Sequence, residues 1–227
     1  MSVAQPIGSA FNDKSVACGQ ILPRAFYARP VLTVARHVIG KLLVSESAEG
    51  VTRGRIVESE AYRGPSDRAA HSFGGRRTAR TEAMFGPPGR AYVFFVYGMH
   101  WHFNLVTGRT GEPHAVLVRA VEPIDGAELM SARRGIGGDT RNLANGPGKL
   151  CKAFAIDGSD YGVDLCKARR LYIVDGPAPK KIGRSERIGV DYAGAWARKK
   201  WRFFDAESPF VSRRRNAHGT NRKGNPS

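Results

Sequence analysis

The sequence predicts an α+β fold: one curved antiparallel sheet, partly open and barrel-like, with helices around it and one protruding β-hairpin. Three observations point there. Strand-like segments rich in Val, Phe and Tyr recur along the chain, among them RIVESEAY, AYVFFVYG, HAVLVRAVEP, LYIVDG and WRFFDA. Turn residues bound these segments at short range, which favours antiparallel neighbours over the long crossovers that parallel strands need. The helical patterns are few and brief, as suits helices packed outside a single sheet.

Taken in order, PVLTVARHVIGKLLVSE predicts a short helix stopped near Gly40 and then a strand. RIVESEAY predicts a strand, and RTEAMFG a helical turn closed by Gly86 and the two prolines after it. AYVFFVYGMHWHFNLVTG predicts two aromatic-rich segments meeting around Tyr97-Gly98-Met99, a hairpin whose Val93, Phe95 and Val96 are read as core. HAVLVRAVEP adds a strand. GAELMSARRG and GPGKLCKAFAI add helices, and LYIVDG and WRFFDA close the series as strands. No repeat or linker divides the middle, so residues 21–211 are expected to be one domain. Residues 1–20 are expected to form a flexible arm, and 212–227 a disordered basic tail.

The 227 residues are enough to bury a sizeable core. Thirty-six Lys and Arg against twenty Asp and Glu give a formal charge of +16. Such a field favours polyanionic partners, nucleic acid first. No apolar run has the length that spans a bilayer, and no basic amphipathic helix stands out, so no membrane partner is expected. The first residues lack a basic flank followed by an apolar stretch, and Cys18, Cys151 and Cys166 are odd in number and far apart. A reduced, cytoplasmic protein without a zinc site is the expectation.

Glu58 and Glu60 lie two apart on a predicted strand and so face the same side. Like charges this close are costly unless an arginine pairs with one or water reaches it. One glutamate is therefore read as a solvated surface charge, and the other as a candidate general base for water. A facing carboxylate pair also admits glycoside hydrolysis. Tyr97, beside Gly98 at the expected hairpin tip, is a candidate wedge for a nucleic-acid stack. His100 and His102 have the spacing of two strand metal ligands but no third partner, so they are read as partnered or surface histidines. In NGPGKLCKAF, the glycines and Lys149 fit either a phosphate contact or an ordinary capped helix. The motifs GxSxG and GxGxxG, and HxE joined to PCxxC, are absent.

The segments RIVESEAYRGPSDRAAHS, RTEAMFGPPGRAYVFFVYGMHWHFN, AVLVRAVEP, NGPGKLCKAF and RIGVDYAGAWARKKWRFF together resemble the alkyladenine (3-methyladenine) DNA glycosylases of the mammalian type, a family with bacterial members. They occur in the family's order between about Arg36 and Ser212. The resemblance implies a single mixed domain and a monofunctional glycosylase that needs no metal or organic cofactor. Its implied substrate is double-stranded DNA carrying 3-methyladenine, 7-methylguanine, hypoxanthine or ethenoadenine. A monomer is the expectation, since one lesion presents one asymmetric site, and its expected place is the cytoplasm with the nucleoid in a bacterium or the nucleus of a eukaryote. By the same resemblance Glu60 deprotonates the attacking water and Arg119 helps to hold that water, with the carbonyl near Val190 as a third holder. Tyr62 and His71 form two walls around the flipped base. Phe94 forms the third, where a tyrosine is usual. Asn104 crowds the exocyclic amine of normal guanine. Tyr97 intercalates, Met99 contacts DNA beside it, and Lys149 sits on the backbone. Glu58 has no catalytic role in this picture. Two other readings stand beside it: a basic nucleic-acid-binding protein without catalysis, and a nucleoside glycosidase using the Glu58/Glu60 pair.

Overall fold

The computed structural model describes residues 19–167 and 169–212. Its strands are β1 (Leu42–Ser47), β2 (Gly50–Tyr62), β3 (Ala91–Val96), β4 (His100–Thr107), β5 (His114–Asp125), β6 (Leu171–Val174), β7 (Ile182–Ser185) and β8 (Arg202–Asp205). All belong to one sheet whose main path runs β3-β4-β5-β2-β1-β6, and every strand pair is antiparallel. β2 is the branch point. One edge pairs with β5 along its length, while the other pairs first with β1 and then, at Glu58–Glu60, with β8, to which β7 is added. Two strands sharing one edge must splay, and the sheet curls into a half-barrel.

The β2–β5 register shifts at three places: one leaves Ile124 extra on β5 near the start of β2, and the other two compensate each other. Ile56 pairs with Val121 and Glu58 with Ala120, which leaves Val57 extra on β2. Ser59 then pairs with Val118, which leaves Arg119 extra on β5. Bulges re-aim side chains and sharpen twist. Here they deliver Arg119 to the face that carries Glu58 and Glu60.

Short helices cover the opposite face. α1 (Arg24–Tyr27) and α2 (Val31–His37) precede the sheet; α3 (Ala127–Arg134) and α4 (Pro147–Ala153) follow β5. α2 buries Val31, Val34 and Ala35, the i, i+3, i+4 stripe of an amphipathic helix. The Ser59 hydroxyl donates to the Ala35 carbonyl at 2.6 Å and ties that helix to β2. Gly40 ends this segment at φ +91°, and a Cβ there would lie 2.2 Å from the Pro177 carbonyl oxygen. α3 stops at Gly135, whose left-handed backbone donates to Ser131 and Ala132. Between helices and sheet lies the main core, including Ile56, Phe103, Val116, Val118, Leu150 and Phe154.

The expected strands and helices are present at their positions. Absent from the expectation were α1, the first five residues of β2, and β7. Phe95 corrects the core reading: it has the parity of buried Ala91 and Val93, yet is 46% exposed. It stands one pair from the hairpin tip and stacks on Trp101 across the ladder, with centroids 4.7 Å apart. Among the described residues no helix is long and apolar enough to cross a membrane. Cys151 is buried, Cys166 half-buried, and both are free thiols; Cys18 lies outside the described residues. The arm and tail also lie outside them, except for Gly19, Gln20 and Ser212. The Gln20 carbonyl accepts from Asp175 N–H at 2.8 Å.

Candidate active site

A cleft of about 270 Å³ opens on the sheet face away from α2. Strand alternation builds it: Tyr92, Phe94 and Val96 from β3, the last half-buried at the cleft rather than in the core as read from the sequence, His102 and Asn104 from β4, Ala115, Leu117 and Arg119 from β5, and Tyr62 from β2. The start of α4 at Pro147 and loop residues Ala69, His71, Tyr192 and the run Ile188–Val190 complete the rim.

Glu60 lies one layer behind this wall. It is 0% exposed, and its three hydrogen-bond donors, Arg119, Tyr62 and Ile188, all line the cleft. Its Oε2 accepts from the Tyr62 hydroxyl at 2.8 Å and from Arg119 Nη1 at 3.3 Å; its Oε1 accepts from Ile188 N–H at 2.7 Å. Burial and the adjacent Glu60 carboxylate push the Tyr62 phenol well above its usual range, so it stays protonated and donates. Burial works against the Arg119 charge, but Glu60 and Glu58 outweigh it and hold the guanidinium above its ordinary value.

Glu58 is also 0% exposed, which overturns the reading of one glutamate as a solvated surface charge. Two arginines explain how a second carboxylate is tolerated so close. Arg119 Nε donates to Glu58 Oε1 at 3.0 Å and Arg202 Nε at 2.6 Å, with the Ser212 hydroxyl at 2.8 Å on the same oxygen. Ser212 N–H donates to Oε2 at 2.7 Å. Two carboxylates and two guanidiniums balance within this buried cluster.

The rings are fixed from behind. Arg187 lies 4.8 Å from the Tyr62 ring centroid and is itself buried, donating to Asp67 at 2.5 and 2.9 Å and to the Ala61 carbonyl at 2.9 Å. His71 meets Phe94 edge-on with centroids 4.5 Å apart, and its Nδ1 shares a 2.8 Å hydrogen bond with the Tyr92 hydroxyl. Asn104 Nδ2 donates to the Tyr92 carbonyl at 3.0 Å. His102 packs its ring 5.4 Å from that of Phe94. Burial, with Arg80 and Arg76 near His71 and Arg119 near His102, lowers both histidines to about 4. Both imidazoles are therefore uncharged at neutral pH.

Tyr97, at the hairpin tip, is 81% exposed, and Met99 beside it is also exposed. Tyr97 and Gly98 both have positive φ, +53° and +67°, and Met99 N–H donates to the Val96 carbonyl at 3.2 Å. These are the φ signs of a type I′ hairpin turn. Lys149, in the first turn of α4, is half-buried with its Nζ 2.7 Å from Asn145 Oδ1. Val190 lines the cleft, and its carbonyl accepts from Ala193 N–H at 2.9 Å.

Of the residues singled out in the sequence, Tyr62, His71, Phe94, Tyr97, His102, Asn104 and Arg119 line the cleft, Glu60 and Glu58 lie buried behind it, Met99 is at the hairpin tip, and Lys149 and His100 are not among the lining residues. Tyr92, Ile188, Arg187 and Asp67 were missed, and His102, read only as a partnered or surface histidine, was not placed at the site. The parity of Phe94 and Asn104 was signal enough for Tyr92 and His102. The Arg187–Asp67 pair spans 120 residues and left no local trace.

The family model described as methylpurine-DNA glycosylase (MPG) matches residues 25–209. A protein of Methanocella arvoryzae named "Putative 3-methyladenine DNA glycosylase" is 52% identical over 194 residues, covering 86% of this chain and 96% of its own. Proteins of the same name from Desulfitobacterium hafniense and Bacillus licheniformis are 46% identical over 198 residues and 47% over 194. They cover 84% and 85% of this chain, and 98% and 96% of their own. Matched over most of its length and across nearly the whole of these relatives, the chain belongs to the methylpurine-DNA glycosylase family, DNA repair enzymes that hydrolyse N-glycosyl bonds.

Proposed function

We propose that this protein is a monofunctional glycosylase that turns alkylated or deaminated purines out of duplex DNA and hydrolyses their N-glycosidic bond with a water activated by Glu60. A base within a duplex is out of reach, and a damaged or mispaired one costs less to extrude. Tyr97 enters the vacated stack, with Met99 against the neighbouring bases and Lys149 on the backbone. Tyr62, His71 and Phe94 enclose the extruded base. An electron-poor or cationic purine gains a cation–π attraction to such rings of about 0.5–2 kcal/mol. Asn104 excludes the exocyclic amine of normal guanine, and Phe94 offers stacking without a hydroxyl. As the C1′–N bond breaks, positive charge grows on the sugar; the ionised Glu60 stabilises it and takes the proton of water that Arg119 and the Val190 carbonyl help to hold. An abasic site is left, since no lysine stands as a Schiff-base nucleophile in these motifs. One lesion presents one asymmetric site, so the monomer is the working unit, acting where the cell keeps its DNA.

The observation that supports this most is Glu60 itself: a carboxylate directly behind a ring-walled cleft, whose three protein donors all line that cleft and leave one of its acceptor positions without a protein partner. Glu58 accepts four hydrogen bonds, which argues against a two-carboxylate mechanism on free nucleosides. The test is excision from duplexes carrying 3-methyladenine, 7-methylguanine, hypoxanthine or ethenoadenine, read as strand breaks after alkali. Release from at least one lesion is expected. Glu60→Gln should keep lesion binding and lose roughly 10²–10⁴-fold in excision rate. No break with any lesion, or wild-type turnover by the variant, would sink the reading.

A further inference from the structure

Glu58 was assigned no part in the chemistry, yet it accepts four hydrogen bonds against the three on Glu60. It accepts from Arg119, Arg202 and, twice, Ser212, drawing in β5, β8 and residue 212. A residue buried this expensively invites the question of what its charge does for Glu60, two positions away on the same face.

The geometry of Arg119 answers it. A guanidinium beside a carboxylate prefers the bidentate fork, two parallel N–H···O bonds to one partner. Arg119 does not adopt it with Glu60: Nε is taken by Glu58 at 3.0 Å, and Nη1 alone reaches Glu60, at a longer 3.3 Å. A carboxylate has about four acceptor positions. Protein donors fill three on Glu60: Tyr62 and Arg119 on Oε2, Ile188 on Oε1. A bidentate Arg119 would take the fourth, the position a general base needs for the proton it removes from water.

We propose that Glu58 is a positioning residue that holds Arg119 in a split, one-armed contact with Glu60 and so keeps an acceptor position on Glu60 open for the attacking water. The inference rests on the glycosylase reading above. Arg202 brings a second guanidinium to Glu58, at 2.6 Å, once Arg119 is shared with Glu60. The bonds from Ser212 and from Arg202 to the Ser212 carbonyl, at 3.2 Å, lock the far side of the cluster. Without the Glu58 charge, Arg119 turns to Glu60 and caps it.

The experiment is single-turnover excision by Glu58→Gln, measured on the lesion that the unaltered enzyme removes fastest, with lesion-duplex affinity and thermal unfolding followed in parallel. Excision should fall on the order of tenfold or more, a share of what a general base supplies, while affinity stays within about twofold. A double-mutant cycle with Arg119→Ala separates positioning from general damage. If Glu58 acts through Arg119, E58Q in the R119A background costs nothing further. A full additional loss in the double variant would overturn the inference. Should E58Q not fold, Glu58→Asp keeps the charge for Arg202 but draws it back from Arg119. Slower excision at unchanged affinity is then expected, and a wild-type rate overturns the idea. Inactivity of the unaltered enzyme on every lesion would overturn the glycosylase reading and this inference with it. An active enzyme equalled by its E58Q variant would overturn the inference alone.

Discussion

Tyr97 holds a backbone conformation that residues with a Cβ avoid, φ +53°, at a cost of about 1–2 kcal/mol. Its ring is out in solvent, so packing does not repay that cost. Strain at an exposed aromatic tip is the outlier that the proposed wedge role of Tyr97 would account for, since glycine or asparagine would sit there more easily. Replacing Tyr97 with Asn, which tolerates the left-handed region, should leave stability equal or raise it by up to about 1 kcal/mol in urea unfolding, while slowing excision from duplex DNA. A clear loss of stability would show that the ring contributes to the fold. The tip was legible because VYGM places glycine directly after a strand pattern. Phe95, two residues earlier, was misread for a related reason: alternation gives the face of a residue, not whether anything covers that face.

Among the elements, β2 and the pieces docked behind it matter most to the site. The buried Arg187–Asp67 pair joins the loop after β2 to the segment after β7 and supports the Tyr62 ring. Removing one member of such a pair strands the other charge. Asp67→Asn should therefore lower stability by about 3–5 kcal/mol in denaturant titration. The exposed Arg77–Glu82 pair is the control: Glu82→Gln should leave the unfolding curve where it was. If the two variants behave alike, Arg187 is not the buried support described. Elements with their own pattern, such as HAVLVRAVEP and WRFFDA, were readable from the chain. Segment GVTRG at the start of β2, and IGRS of β7, have no such pattern and become strands because β1 and β8 offer them partners.

For the molecule as a whole, the charge of +16 is the property that the sequence states most openly. If it serves DNA binding, affinity for lesion duplex should fall linearly with log salt; on the order of five neutralised phosphates gives a slope of about −4.5. A slope near zero would remove the electrostatic part of the reading. Less open to sequence reasoning was the cluster that unites Glu58 with Arg119, Arg202 and Ser212, across separations of 61 to 154 residues. Parity put both glutamates on one face, and the family likeness picked out Glu60 and Arg119; only the folded chain shows how two acids share that space. The offset insertions at Val57 and Arg119 also bear on how relatives can diverge. Lengthening either strand alone between these points would turn the following residues inside out and send Glu60 toward the core that holds Phe103 and Val118. Between Ile56 and Tyr62 a gained or lost residue must therefore be matched on the facing strand, whereas the unmatched Ile124, opposite Arg53 and Gly54, falls toward the far end of the ladder from the site.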